Sequence, residues 1–164
     1  MKTTFEKALC FAVPLFALMA DQATKTAVRI HFRAGGGEIT VVPGFIELVN
    51  SYNAGGAFGL LRGAPALFLA VAVVFVAAAF VLLAAARLSP AARWGLGLTA
   101  GGALGNLVDR FRWGRVYDFI DCRAGAYHWP AFNAADAFIV IGAALIALSL
   151  LRGDAEGEPS TENA

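Results

Sequence analysis

Charge is scarce in this chain. Of its 164 residues 13 are basic and 12 acidic, 15% together, against about 25% in a soluble domain. The net charge of +1 lacks the excess of cations that a nucleic-acid partner would call for. Cysteine is nearly absent. Cys10 lies in the first apolar run and Cys122 in a later polar loop, at opposite membrane faces in the topology derived below, so they form no pair and report no redox compartment. The only histidines, His31 and His128, have no second ligand at helical spacing, which argues against a metal centre.

Apolar residues make up 59% of the chain, and the mean hydropathy is +0.65. Lipid is therefore the expected solvent, and four spans of about 20 residues fit within one domain of this length. The N-terminus imitates a signal peptide: Lys2 and Lys7, the apolar stretch Ala8 to Ala20, and a small-residue site at Leu18-Met19-Ala20. Because Asp21-Gln22-Ala23-Thr24-Lys25 continues as helix without Gly or Pro, an uncleaved first span is the better reading.

The expected fold is an all-α membrane protein, a four-transmembrane-helix bundle with spans at about residues 5–30, 66–86, 93–111 and 134–151 of a single domain, 1–152. The second span has no polar side chain and opens at Pro65, a good first helical residue. The third carries Gly95, Gly97, Gly101, Gly102 and Gly105, which let membrane helices approach closely. Between the first two spans, Glu38 to Asn50 mixes β-branched residues with a Pro43-Gly44 turn and predicts short strands. The loop 112–132 is aromatic-rich, with Trp113, Tyr117, Phe119, Tyr127 and Trp129, and reads as interfacial. The polar tail, 153–164, is expected to be disordered.

Sidedness does not follow from charge. With both termini inside, five cations (Lys2, Lys7, Arg87, Arg93 and Arg152) face inward, and eight (Lys25, Arg29, Arg33, Arg62, Arg110, Arg112, Arg115 and Arg123) face outward. That is the reverse of the positive-inside rule.

The positions of the polar residues say more. Asp21 and Lys25 come late in the first span, Asn106, Asp109 and Arg110 late in the third, and Asn133 and Asp136 open the fourth. Consecutive spans alternate in direction, so all of these converge on one leaflet. Asp21 and Lys25 stand at i,i+4, and Asn106 with Asp109 and Arg110 at i,i+3 and i,i+4, so each set shares a helix face. One reading is an inter-helix clamp with Lys25 and Asp109 as structural support. The other, prompted by Asp118 and Asp136 arriving at the same level from a loop and a helix start, is a catalytic pair, since intramembrane ionisable groups mark function by default.

Peptide hydrolysis by two carboxylates needs no cofactor: crowded aspartates share one proton, the ionised one activates water, and the protonated one assists the carbonyl and the leaving amine. A serine route would have to use Ser51 with Lys25 as base. A proton-coupled transporter is the rival from another class, but such proteins show internal repeats and broken helices at the midplane, whereas this chain shows no repeat and its acids lie near one face.

At these residues the chain resembles the lipoprotein signal peptidases (signal peptidase II). Five blocks carry the resemblance in order: Asp21-Gln-Ala-Thr-Lys25, Asn53-Ala-Gly-Gly-Ala-Phe-Gly59, Gly105-Asn-Leu-Val-Asp-Arg110, Val116-Tyr-Asp-Phe-Ile120 and Pro130-Ala-Phe-Asn-Ala-Ala-Asp136. The resemblance implies a membrane aspartyl endopeptidase that removes the signal peptide of bacterial prolipoproteins before a diacylglyceryl-modified cysteine. It would act as a monomer in contact with membrane lipid, with both termini cytoplasmic and the site at the outer face of the inner membrane. It implies Asp118 and Asp136 as the catalytic dyad, Asp21, Asn53, Asn106, Arg110 and Asn133 as substrate-binding residues, and a β cradle over about 38–61.

Overall fold

The computed structural model describes residues 4–54 and 65–153, so the part of the cradle at 55–61 and the tail from 154 lie outside the described residues. In chain order the elements are α1 (Thr4–Arg33), β1 (Ile39–Val42), β2 (Ile46–Asn53), α2 (Pro65–Ala85), α3 (Pro90–Trp113), β3 (Val116–Ala124), β4 (Tyr127–Phe132) and α4 (Ala134–Leu151). The four strands make one antiparallel sheet in the order β1-β2-β3-β4.

Two expectations need correction. The expected helical bundle with a small β cradle is present, but the sheet extends beyond the cradle read at about 38–61, because the segment taken as an interfacial loop folds as β3 and β4. Val116-Tyr-Asp-Phe-Ile is built of strand-forming residues, but Asp118 within it and Asp121 directly after it obscured the pattern. The third helix also starts earlier than Arg93. Ser89 caps it by accepting from the Ala92 N–H, and Pro90 occupies the first turn, where its missing N–H costs nothing. Gly114, at φ 68°, closes that helix in the left-handed conformation and hands the chain to β3.

α3 is the central helix. Its glycines are spent on close approach: a Cβ at Gly97 would stand 2.9 Å from Val13 Cγ1 of α1, one at Gly95 2.6 Å from the Gly142 carbonyl of α4, and one at Gly105 would collide with the Asp21 carboxylate. The α1 end of the sheet is held by a small apolar core in which Val28 packs on Tyr117 and Phe119.

The distribution of side chains inverts that of a soluble protein. Asp21, Lys25, Arg93, Asp109 and Asn133 are buried, whereas Phe11, Leu15 and Phe16 of α1, Val71, Val74 and Val81 of α2, and Val140, Ile141 and Leu151 of α4 are exposed. Lipid favours that arrangement and water does not. Among the described residues α4 is long and apolar enough to cross a membrane by itself, and α2 holds a shorter apolar run, Leu69–Ala85.

Candidate active site

The site is organised around an ammonium group with no access to solvent. The Lys25 side chain is 1% exposed, and its Nζ lies 2.9 Å from Asp21 Oδ2, 3.0 Å from Asp109 Oδ2 and 3.1 Å from Asn106 Oδ1. A lysine has three N–H donors, and here each has an oxygen. Both carboxylates are 0% exposed and reach further: Asp21 Oδ1 accepts the Ala135 N–H at 3.0 Å, and Asp109 Oδ2 accepts the Tyr117 N–H at 3.1 Å. Gln22 Nε2 bridges the acids, donating to Asp21 at 3.1 Å and to Asp109 at 3.4 Å. Arg29 closes the cluster, 3.7 Å from Asp109 and placed over the rings of Tyr117 and Trp113.

Asn106 connects this cluster to a second layer. Its amide donates to Asp136 Oδ1 at 2.8 Å, while its oxygen accepts from Lys25 and, at 3.2 Å, from Asn133 Nδ2. Asn133, 0% exposed, also donates to Asp118 Oδ1 at 2.6 Å. It is the N-cap of α4, and the cap is reciprocal: the Asp136 N–H donates to Asn133 Oδ1 and the Asn133 N–H to Asp136 Oδ2, each at 3.1 Å. A capping box thus fixes Asp136 in the first turn of α4, where the helix end favours an anion. Asp118 arrives from β3, opposite Ser51 of β2, and also takes a hydrogen bond from Asn53. Burial pushes the Asp118 carboxyl above the ordinary carboxylate range, and the charge of Asp136 adds to that; the bonds from Asn53 and Asn133 and the Lys25 charge oppose the rise without reversing it.

Asp118 and Asp136 face a pocket of about 400 Å³ together with Asn53, Asn106 and Arg110, a size suited to a small ligand or a peptide segment. Its remaining walls are mainly apolar: Ala72 of α2, Ala103 of α3, Ile139 and Val140 of α4, and Trp129 to Phe132 of β4. Val140 is also 67% exposed, so this wall continues onto the outer surface of the bundle.

The family model described as signal peptidase (SPase) II matches residues 13–152. The chain belongs to the signal peptidase II family. Its relatives include the lipoprotein signal peptidase of Pelotomaculum thermopropionicum, 46% identical over 142 residues, which span 86% of this chain and 90% of that protein. That of Nitratidesulfovibrio vulgaris is 41% identical over 152 residues, 88% and 87% of the two chains. Among solved structures, a bacterial membrane enzyme determined by the in meso method at 2.3 Å resolution superposes with a TM-score of 0.77 at 27% identity, covering 94% of each chain. Another, at 1.9 Å, gives 0.73 at 30% identity over 87% of this chain and 92% of that one. Membership makes the protein a peptidase and sets the transporter alternative aside.

The structure divides the residues singled out from sequence into two groups. Asn53, Asn106, Arg110, Asp118 and Asp136 line the pocket. Asp21, Lys25, Asp109 and Asn133 lie behind its wall, fully buried, so Asp21 and Asn133 reach the pocket only through other residues. Arg110 Nη1 donates to the Asn106 carbonyl at 3.2 Å, while Asp109 is held by Lys25. The histidines lie elsewhere: His31 bonds the Gly37 carbonyl at 2.9 Å, and His128 pairs with Asp121 at 2.7 Å on the sheet. Sequence reasoning passed over Arg29, although it continues the Asp21–Lys25 face at the next i+4 step. It also passed over the backbone N–H groups of Tyr117 and Ala135, which no side-chain letter announces.

Asn133 carries two separable duties. Asn133→Ala removes the cap and the Asp118 donor together, and we expect a loss of about 1 kcal/mol of stability from the cap alone along with reduced turnover. Asn133→Ser caps the helix but has no amide to reach Asp118, so it should recover the melting temperature without recovering turnover. Thermal unfolding in detergent, paired with a peptidase assay, reads both.

Proposed function

We propose that this member of the family is a four-span aspartyl endopeptidase of the bacterial inner membrane that removes the signal peptide of prolipoproteins before a diacylglyceryl-modified cysteine. One observation carries the reading: two aspartates from separate elements, each held by an asparagine amide, face one largely apolar pocket.

Asp118, raised by burial and by its neighbour, suits the role of proton holder. Asp136, gripped by the Asn106 amide and the Asn133 N–H at a helix N-terminus, suits the base. Asp136 takes a proton from water as the water oxygen bonds to the scissile carbonyl carbon, and Asp118 gives its proton to the carbonyl oxygen. The tetrahedral diol collapses as the C–N bond breaks. The proton on Asp136 then passes to the departing nitrogen and a diol proton returns to Asp118, which restores the pair. Asn53 and Arg110 line the pocket beside the dyad and offer partners to a peptide backbone or to the polar linkage of the lipid. The serine alternative lacks a base, because the ammonium of Lys25 is held by two carboxylates.

Helices of 30, 21, 24 and 18 residues are about 45, 32, 36 and 27 Å long, against a hydrocarbon core of about 30 Å. Both termini are assigned to the cytoplasm and the sheet to the outer face by the resemblance. Several of the outward cations have partners in the protein, which supports this reading. Of the eight cations counted outward from sequence, Lys25 and Arg29 are committed to Asp109, Arg123 to Glu47 and Asp121, and Arg110 to the pocket wall. The apolar wall through Val140 would receive the acyl chains from the bilayer, and the enzyme would act as a monomer.

Incubation with a diacylglyceryl-modified precursor followed by mass analysis tests the reading. Asp118→Asn and Asp136→Asn should each lower turnover by at least about 10²–10⁴-fold with precursor still bound. The double variant should be little worse, and Ser51→Ala close to wild type. Substantial turnover by either Asn variant contradicts the aspartyl mechanism.

The pH dependence has a definite sign. The folded chain holds the Asp118 proton more tightly than the unfolded chain. The associated stability is complete below the ordinary aspartate value of about 3.9 and is lost as pH rises through the raised one. Turnover needs the same proton and should fall on the same alkaline limb. Chemical denaturation across pH should show this loss in wild type and a flatter profile in Asp118→Asn.

A further inference from the structure

We infer that Asp21, Lys25 and Asp109 form a positioning frame that holds the two catalytic aspartates at their working separation, each acid tying down the backbone immediately before one of them. The inference rests on the aspartyl reading of Asp118 and Asp136 and assigns Asp21 a role away from the substrate.

The geometry is symmetric in function though not in sequence. Asp109 takes the N–H of Tyr117, the residue before Asp118, and Asp21 takes the N–H of Ala135, the residue before Asp136. Both acids meet on one lysine nitrogen, at 2.9 and 3.0 Å. A clamp serving only to join α1 to α3 would be complete with the Lys25–Asp109 pair, and it would give neither carboxylate a reason to reach the start of β3 or of α4. The third Lys25 bond, to Asn106, continues through the Asn106 amide to the Asp136 carboxylate itself. The frame is rigid because it is dry: Asp21, Lys25 and Asp109 are all at or below 1% exposure. A shift of the frame is therefore passed to both carboxyl groups through a single peptide unit on each side.

Lys25 of α1 and Arg110 of α3 are the cations whose charge reaches the dyad, with Asp21 and Asp109 against Lys25 and Arg29 against Asp109 behind them. Lys25 draws the Asp118 proton affinity down, so removing a frame anion leaves that cation less opposed, and the alkaline limb of turnover should move to lower pH.

Full-length Asp21→Asn and Asp109→Asn, assayed in detergent with lipidated precursor beside Asp118→Asn, test this. Each frame variant should keep KM, lose about 10²-fold in kcat, the scale of a misplacement near 1 Å, and shift its alkaline limb downward. Where a single variant does not accumulate, Lys25→Met combined with Asp109→Asn leaves the net charge of the cluster unchanged and is read for the same loss of kcat at constant KM. Wild-type kcat and pH profile per folded molecule, with only the melting temperature lowered, overturn the inference while an inactive Asp118→Asn leaves the aspartyl reading standing. An active Asp118→Asn overturns both.

Discussion

A buried ammonium group is the constraint from which the rest of this structure follows. Taking a lysine charge out of water costs several kcal/mol after relaxation, and the cost is recovered only with good geometry and a partner for every N–H. Lys25 meets that requirement with Asp21, Asp109 and Asn106, which draws on α1 and α3 at once. The helices must then come close, and the glycines of α3 make this possible. At Gly105 any side chain would take the place of the Asp21 carboxylate.

The same cluster passes its geometry to the sheet and to the pocket. Tyr117 is caught from three directions: its N–H by Asp109, its ring by Arg29 at 4.7 Å, and its other ring contacts by Tyr52 and Phe119. β3 therefore leaves α3 at a fixed angle, with Asp118 the next residue. On the other side Asn133 spends one amide on the start of α4, on Asp118 and on Asn106. Polar groups in such an interior raise one another's importance, because a partly satisfied network is costly at low dielectric. The lipid-facing surface, by contrast, is plain: α2 contributes packing and a wall, as in the Phe11–Phe80 stack against α1.

Much of this was legible in the order of the residues. Four long helices come from the apolar runs, and the convergence of polar groups at one end of the bundle and the shared face of Asp21 and Lys25 from alternating direction and helical spacing. The Asn133–Asp136 spacing is that of a cap and its third residue. What stayed hidden has physical causes. β3 was hidden because Asp118 and Asp121 interrupt the apolar alternation of a strand, and β4 because His128 and Pro130 break it. The division between residues that line the pocket and residues behind it depends on side-chain direction, which spacing does not give. The ties to Tyr117 and Ala135 run through backbone donors that every residue possesses. Gly55 to Gly59, read as part of the second motif block, fall outside the described residues.

The central claim is that Asp118 and Asp136 hold one proton between them while the enzyme is active. Infrared difference spectroscopy of the purified protein, titrated across the pH range of turnover, observes the carboxyl C=O stretch of a protonated aspartate directly. The account predicts one such band at the pH of maximal activity, lost on the alkaline limb together with turnover and missing from both Asp118→Asn and Asp136→Asn. A pair fully ionised at the pH of maximal activity, or a band that survives both substitutions, would contradict it.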